Sequence, residues 1–170
     1  MPERGARVTL SVVTLHGGYA LPAGTSLEDL DMGGRSVLSL LVTGEQSDGR
    51  LLVLSGVVHD GGPPLHVHDD EDEVVVVLEG ELAYRVGEDE GVLTQGGVLW
   101  FPRAVPHAVA QAGAGPVRFL TVVTPAGLED LFRGQRDLIA ATPPGRSPDP
   151  AQLAALEGAG TRRVVGPPLG

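Results

Sequence analysis

Short apolar runs, separated by glycine and proline, recur along most of the chain. The runs are mostly four to eight residues long and rich in Val, which is typical of β-strands. We expect strands at Val8–Leu15, Ser36–Val42, Leu51–Val58, Leu65–His68, Glu73–Leu78, Leu82–Val86, Gly91–Gln95, Val98–Phe101, Val105–Ala110 and Val117–Thr124. Their number and spacing predict an all-β domain built as a sandwich, barrel or jelly roll.

The pattern changes after Pro125. In Gly127–Ala140, apolar residues such as Leu128 and Leu131 recur at roughly helical spacing, with acidic residues early and Arg later. This arrangement predicts one or two short helices that close the domain.

The C-terminal region begins with Thr142–Pro150, a Pro-rich segment of linker-like composition. We expect a brief helix after it, capped by Asp149. The final Val164–Leu169 either docks on the barrel or on a neighbouring subunit, or forms a frayed terminus. We therefore divide the chain into a β-barrel domain with its closing helix, residues 1–141, and a linker with a C-terminal appendage, residues 142–170.

Composition narrows the function classes. The 170 residues fit one domain, and the absence of Cys removes disulfides, thiolate nucleophiles and zinc–thiolate sites. All 12 basic residues are Arg, so Schiff-base chemistry on Lys is impossible, and a net charge of −10 argues against nucleic-acid binding. No apolar run is long enough for a membrane span, and no signal core follows Met1–Arg7, so we expect a cytoplasmic protein that binds no membrane.

The first chemically informative window contains His66, His68 and Glu73. Side chains two apart on a strand share one face, so both imidazoles can point into one cavity. Glu73 begins the next Val-rich strand and can also turn inward, with Val75 and Val77 on the same face as apolar lining.

The second window runs from Gly96 to His107 and reads as a turn, a short strand, a turn with Pro102 and a new strand. His107, on the new strand, is the expected third imidazole beside those of His66 and His68. Trp100 and Phe101, within the short strand, either line the pocket or belong to the core.

Together the two windows resemble the two motifs of the cupin superfamily. The first family motif is His, any residue, His, three or four residues, Glu, six residues, Gly, and the chain meets it from His66 to Gly80. The second is Gly, five residues, Pro, any residue, Gly, two residues, His, three residues, Asn. Gly96, Pro102 and His107 fit this second motif, and the departures from it are Ala104 and Gln111. Asp60 stands where the family's first motif opens with Gly.

The resemblance implies an all-β, cupin-type double-stranded β-helix, or jelly-roll barrel, with short C-terminal helices and often a homodimer. All four ligand positions are filled, by His66, His68, Glu73 and His107. This donor set suits one divalent transition metal ion, whether Fe, Ni, Mn, Co or Zn. The order of segments after the last strand is also similar to single-domain cupins related to quercetin 2,3-dioxygenase.

We therefore expect a metal-dependent dioxygenase, an oxidoreductase that acts on a small enolic or phenolic molecule bound as an anion. Glu73 is the expected catalytic base, and the expected substrate-binding residues are Val75, Val77, Trp100 and Phe101. One alternative is a metal-dependent isomerase, lyase or hydrolase that uses no dioxygen. Another is a cupin that binds or senses a small molecule without catalysis.

Other polar residues have simpler interpretations. His16 and His59 have no partner at ligand spacing and are read as structural. The acidic residues 69–72 are expected to form a solvated loop. Arg103 is expected to be an exposed loop residue, with steering of an anionic substrate as the alternative.

Overall fold

The computed structural model describes residues 13–158 and 160–169 as a β-rich structure with short helices. The strands are β1 (Val13–Leu15), β2 (Gly18–Ala20), β3 (Glu28–Asp31), β4 (Ser36–Val42), β5 (Leu52–Val58), β6 (Pro64–His68), β7 (Asp72–Glu79), β8 (Glu81–Val86), β9 (Asp89–Leu93), β10 (Val98–Phe101), β11 (His107–Ala112), β12 (Val117–Thr124) and β13 (Arg162–Pro168). The helices are α1 (Gly44–Ser47), α2 (Leu128–Ala141) and α3 (Pro150–Gly158).

The strands form two antiparallel sheets and a small hairpin. The first sheet has the strand order β10-β7-β12-β5-β4-β3, the second has the order β13-β6-β11-β8-β9, and β1 pairs with β2. Strands that are neighbours in sequence often lie in different sheets, as β5, β6 and β7 do, so the chain winds between the two sheets. This architecture agrees with the all-β, double-stranded β-helix that the sequence predicts.

The core lies on the inner faces of the sheets and follows from residue alternation along the strands. In β12, Val117, Phe119, Thr121 and Val123 are buried while the residues between them are less so. Burial of a Val or Leu side chain contributes about 1.5–3 kcal/mol. The same alternation turns a polar side chain toward the inner face when it occupies one of these alternate positions.

Most predicted strands are confirmed with small shifts at their ends. The strand expected at Val105–Ala110 begins later, at His107, because the preceding prolines hold the chain in a turn. The strand β3 is an addition to the prediction, since its sequence is acidic and only Leu30 is fully buried. Of the strand expected at Val8–Leu15, only 13–15 are described, and 8–12 lie outside the described residues.

The C-terminal region packs on the barrel. The Asp149 carboxylate accepts a hydrogen bond of 2.8 Å from the Ala151 amide at the start of α3, which is the expected cap. The strand β13 pairs with β6, so Val164 lies opposite His66. Among the described residues, no helix is long and apolar enough to cross a membrane.

Ala104, where the family motif has Gly, keeps a left-handed backbone with φ 61°. Its amide donates a 2.7 Å hydrogen bond to the His68 carbonyl, which fixes the turn before β11. A Cβ in this conformation costs about 1–2 kcal/mol.

We expect Ala104→Gly to raise the free energy of unfolding by about 0.5–1 kcal/mol in urea titrations, because relief of backbone strain exceeds the added entropy of the unfolded chain.

The matched control is Ala114→Gly, at an exposed position whose φ is not positive. It relieves no strain, so we expect it to lower the free energy of unfolding by a few tenths of a kcal/mol or more, about the usual Gly penalty. Destabilisation by both substitutions would contradict a strained backbone at Ala104.

Candidate metal centre

The candidate metal centre starts with two histidines on β6. His66 and His68 are 5% and 2% exposed, and their rings lie 5.0 Å apart because the side chains share the inner face of the strand. The pairing of β6 with β11 places His107 directly opposite His66. The three rings are therefore neighbours on one sheet, with the His107 ring 4.5 Å from that of His66 and 4.9 Å from that of His68.

Glu73 reaches this group from the other sheet. It lies near the start of β7, and its Oε2 is 3.7 Å from Nε2 of His68 and 3.6 Å from Nε2 of His107. One ligand atom from each of the four residues, His66, His68, Glu73 and His107, lies within 4.8 Å of the others. The structure thus brings together all four residues that the sequence predicts as ligands.

Backbone carbonyls fix the tautomers of two of the imidazoles. Nδ1 of His66 donates to the Pro64 carbonyl at 2.7 Å, and Nδ1 of His107 donates to the Val105 carbonyl at 2.9 Å. A carbonyl oxygen can only accept, so each Nδ1 carries the proton when the ring is neutral. Each Nε2 is left with a lone pair for the centre of the cluster.

The chemistry of these groups fits a metal ion. Nε2 of His107 and both ring nitrogens of His68 are buried without a hydrogen-bond partner among the described residues. Burial lowers the pKa of His66 to about 2, with a contribution from the Arg162 charge, and lowers the pKa of His68 to about 4. Both rings are therefore neutral at pH 7, the form that binds a metal.

Three neutral imidazoles and one carboxylate are a donor set for a divalent transition metal ion, and they suit Fe, Ni, Mn, Co and Zn. A bound ion would give the buried nitrogens the partner that the protein does not provide. The described residues therefore fit one such ion, held by His66, His68, Glu73 and His107.

A cavity of about 580 Å³ opens beside the four residues. Its wall is largely apolar and includes Val75 and Phe101, two of the residues predicted to bind substrate. The Phe101 ring stacks on His107 with their centroids 4.3 Å apart. Phe101 therefore both lines the cavity and packs against a candidate ligand.

The other two residues predicted to bind substrate do not line this cavity. Val77 is buried in the core, 1% exposed. Trp100 is 63% exposed on the outer face of β10, since strand alternation turns Leu99 and Phe101 inward. Neighbouring residues on a strand face opposite ways, so only one of Trp100 and Phe101 can line the cavity, and the structure places Phe101 there.

The acidic segment 69–72 is less solvated than the sequence predicts. Glu71 is 5% exposed, Asp69 forms an ion pair with Arg163, and Asp72 forms one with Arg103. Hydrogen bonds from Arg103 lower the pKa of Asp72 to about 2. Only Asp70 keeps the expected exposed position without such an ion pair among the described residues.

Arg162 is a cavity residue that the sequence analysis does not identify. It is 4% exposed, lines the cavity and lies opposite His68 in the pairing of β13 with β6. An Arg in a C-terminal tail carries no local signal of this position, because only long-range strand pairing brings it to the site. His16 and His59, by contrast, are exposed and outside the cluster, as expected for residues without a ligand role.

Comparison with known protein families finds one match, over the middle of the chain. The family model for the cupin domain matches residues 53–123, which include all four candidate ligands. A search of curated proteins finds no significant match. The chain is similar to the cupin domain over residues 53–123, the part that carries both motifs.

Two solved structures share the fold, and a third is similar in sequence over part of the chain. An RmlC-like cupin from Shewanella frigidimarina is 23% identical, with a TM-score of 0.54, over 65% of this chain and 92% of that chain. A predicted oxalate decarboxylase from Thermotoga maritima is 18% identical, with a TM-score of 0.53, over 61% of this chain and 95% of that chain. The protein TT1209 from Thermus thermophilus is 36% identical, with a TM-score of 0.43, over 45% of this chain and 74% of that chain.

The ligand assignment predicts the metal content of variants. We expect His66→Ala and His107→Ala each to lose most bound metal, because loss of a ligand weakens binding by more than the roughly 10- to 100-fold that loss of an outer hydrogen-bond partner causes. His59→Ala is the control and keeps its metal, since His59 is exposed and outside the cluster. Elemental analysis of the three purified variants tests this, and equal metal content in all of them would contradict the assignment.

Proposed function

We propose that the chain is a mononuclear metal-dependent dioxygenase that acts on a small enolic or phenolic molecule bound as an anion. The observation that carries the proposal is the convergence of His66, His68, Glu73 and His107 on the wall of a largely apolar cavity. A divalent ion bound there would supply Lewis acidity and a binding place for dioxygen. The donor set contributes one negative charge, so the loaded site keeps a net positive charge that favours an anionic oxygen on the substrate.

Glu73 is the residue best placed to take a proton from the substrate. Its side chain is 17% exposed, against 3% for His68 and His107, so it lies where the cluster meets the cavity. A carboxylate that accepts the hydroxyl proton leaves an enolate or phenolate oxygen beside the positive centre.

The cavity supports a small organic substrate. Its volume of about 580 Å³ lies within the usual range for ligand pockets, about 300–1,000 Å³. Val75, Phe101 and Phe119 contribute apolar wall and exclude water from the reacting groups.

Arg162 supports an anionic substrate. Its guanidinium is buried in the cavity wall, and its charge contributes to the low pKa of His66 and His68. The positive charge of Arg162 in the cavity wall attracts an anionic group on the substrate.

A non-oxidative reaction is the second candidate, because the same three imidazoles and one carboxylate also suit zinc. Polarisation of a carbonyl would then serve an isomerase, lyase or hydrolase, with Glu73 again as the base. The two candidates differ in whether dioxygen is consumed.

Oxygen uptake distinguishes these candidates. We expect the metal-loaded chain to consume dioxygen with at least one member of a panel of flavonols, diketones and catechols. Glu73→Gln is expected to lower the rate by about 100-fold or more, since the proton acceptor is lost, whereas His59→Ala should be unaffected. Redox-metal loading without uptake across the panel would contradict the dioxygenase and favour the non-oxidative reaction.

The role of Arg162 is testable by comparing benzoate with its uncharged analogue benzamide. We expect the wild-type chain to bind benzoate more tightly, and Arg162→Met to lower this preference by about tenfold, or about 1.4 kcal/mol. Arg163→Met is the control, because Arg163 is 56% exposed and pairs with Asp69 outside the cavity. Calorimetry that finds the preference unchanged in Arg162→Met would assign anion binding to another group.

A further inference from the structure

His68 differs from the other two imidazoles in what lies at its Nδ1. The rings of His66 and His107 are each held there by a backbone carbonyl. At His68 a carboxylate faces Nδ1, with Oε2 of Glu71 at 3.9 Å. Both atoms are buried and lack a hydrogen-bond partner among the described residues.

The His68 ring lies between two carboxylates that face opposite nitrogens. Glu73 faces Nε2 at 3.7 Å and is also 3.6 Å from Nε2 of His107, which places it in the ligand cluster. Glu71 faces Nδ1 and is not one of the clustered ligand residues. The two acids therefore have different roles toward the same ring.

The C-terminal segment holds Glu71 in place. The Thr161 hydroxyl donates a hydrogen bond to Oε1 of Glu71, and the Thr161 carbonyl accepts a 2.9 Å bond from the Asp69 amide. Two further bonds of 2.7 Å join Arg163 to the Asp69 carboxylate. Glu71 is thus fixed by contacts that β13 and the residue before it supply.

We propose that Glu71 is a positioning residue for the metal centre. Oε2 of Glu71 and Nδ1 of His68 are 3.9 Å apart, so a small side-chain shift would form the hydrogen bond that each atom lacks. With Nδ1 as the donor, this bond would fix the tautomer that directs the Nε2 lone pair toward the metal. Thr161 orients the carboxylate, so tight metal binding depends on the C-terminal segment as well as on the barrel. The inference rests on the metal centre of the proposed function, though not on the use of dioxygen.

The size of the effect follows from the chemistry of histidine ligands. A carboxylate that hydrogen-bonds the outer nitrogen of a metal-bound imidazole raises its basicity and fixes its ring. Loss of such a partner typically weakens metal binding by about 10- to 100-fold. A residue that only stabilised the fold would change the unfolding transition without this selective loss of affinity.

The experiment measures the dissociation constant and visible spectrum of Co²⁺ bound to the full chain. We expect Glu71→Met to weaken Co²⁺ binding by about 10- to 100-fold and to change the spectrum. Glu71→Gln keeps an acceptor oxygen and should recover much of the affinity. Thr161→Val should weaken binding by a smaller factor, because Glu71 remains but is less well oriented. Asp70→Asn, at the exposed neighbouring position, is the control and should match the wild type.

Each outcome decides the proposal. Affinity and spectrum in Glu71→Met that match the wild type would overturn it, as would equal losses in Glu71→Met and Asp70→Asn. Thermal unfolding of the metal-free variants separates misfolding from weaker binding, and if Glu71→Met does not fold, a wild-type affinity in Thr161→Val overturns the proposal. Wild-type chain that binds no Co²⁺ would overturn both this inference and the metal centre. Tight Co²⁺ binding by the wild type, with the predicted losses of affinity in the variants but no oxygen uptake, would support the positioning role of Glu71 and reject only the dioxygenase.

Discussion

Three imidazole rings lie together on the inner face of one sheet, almost without solvent, and the burial of their nitrogens constrains everything around them. A buried polar nitrogen without a partner costs about 1–3 kcal/mol. The backbone carbonyls of Pro64 and Val105 satisfy one nitrogen each on His66 and His107. The Nε2 atoms face each other and Glu73, and a metal ion is the partner that satisfies several of them at once.

The same constraint gives the C-terminal residues a part in the site. The strand β13 covers the edge of β6, the strand that carries two of the imidazoles, and places Arg162 in the cavity wall. Thr161 bonds to Glu71 and Arg163 bonds to Asp69, so these two residues hold the acidic segment 69–72 in place. A barrel without this strand would leave the β6 edge unpaired, and loss of Thr161 just before it would leave Glu71 without its hydroxyl partner.

Local spacing predicts an all-β domain, and the resemblance to the cupin motifs adds the barrel and the full ligand set. Alternation places His66 and His68 on one face, and the two family motifs supply Glu73 and His107. Local spacing could not predict the cavity position of Arg162 or the role of Glu71. Both depend on contacts between segments about 90 residues apart, as the hydrogen bond between Thr161 and Glu71 illustrates. Alternation allows only one of the neighbours Trp100 and Phe101 to line the cavity, and the packing of β10 on β7 turns Phe101 inward.

We expect one metal ion at the centre of the four residues. Anomalous X-ray scattering from crystals of the purified chain, recorded at the absorption edge of the metal found in it, would locate such an ion. The expected result is a single peak about 2.0–2.2 Å from Nε2 of His66, His68 and His107 and from a carboxylate oxygen of Glu73. A metal-containing crystal with its peak elsewhere, or with no peak between these residues, would contradict it.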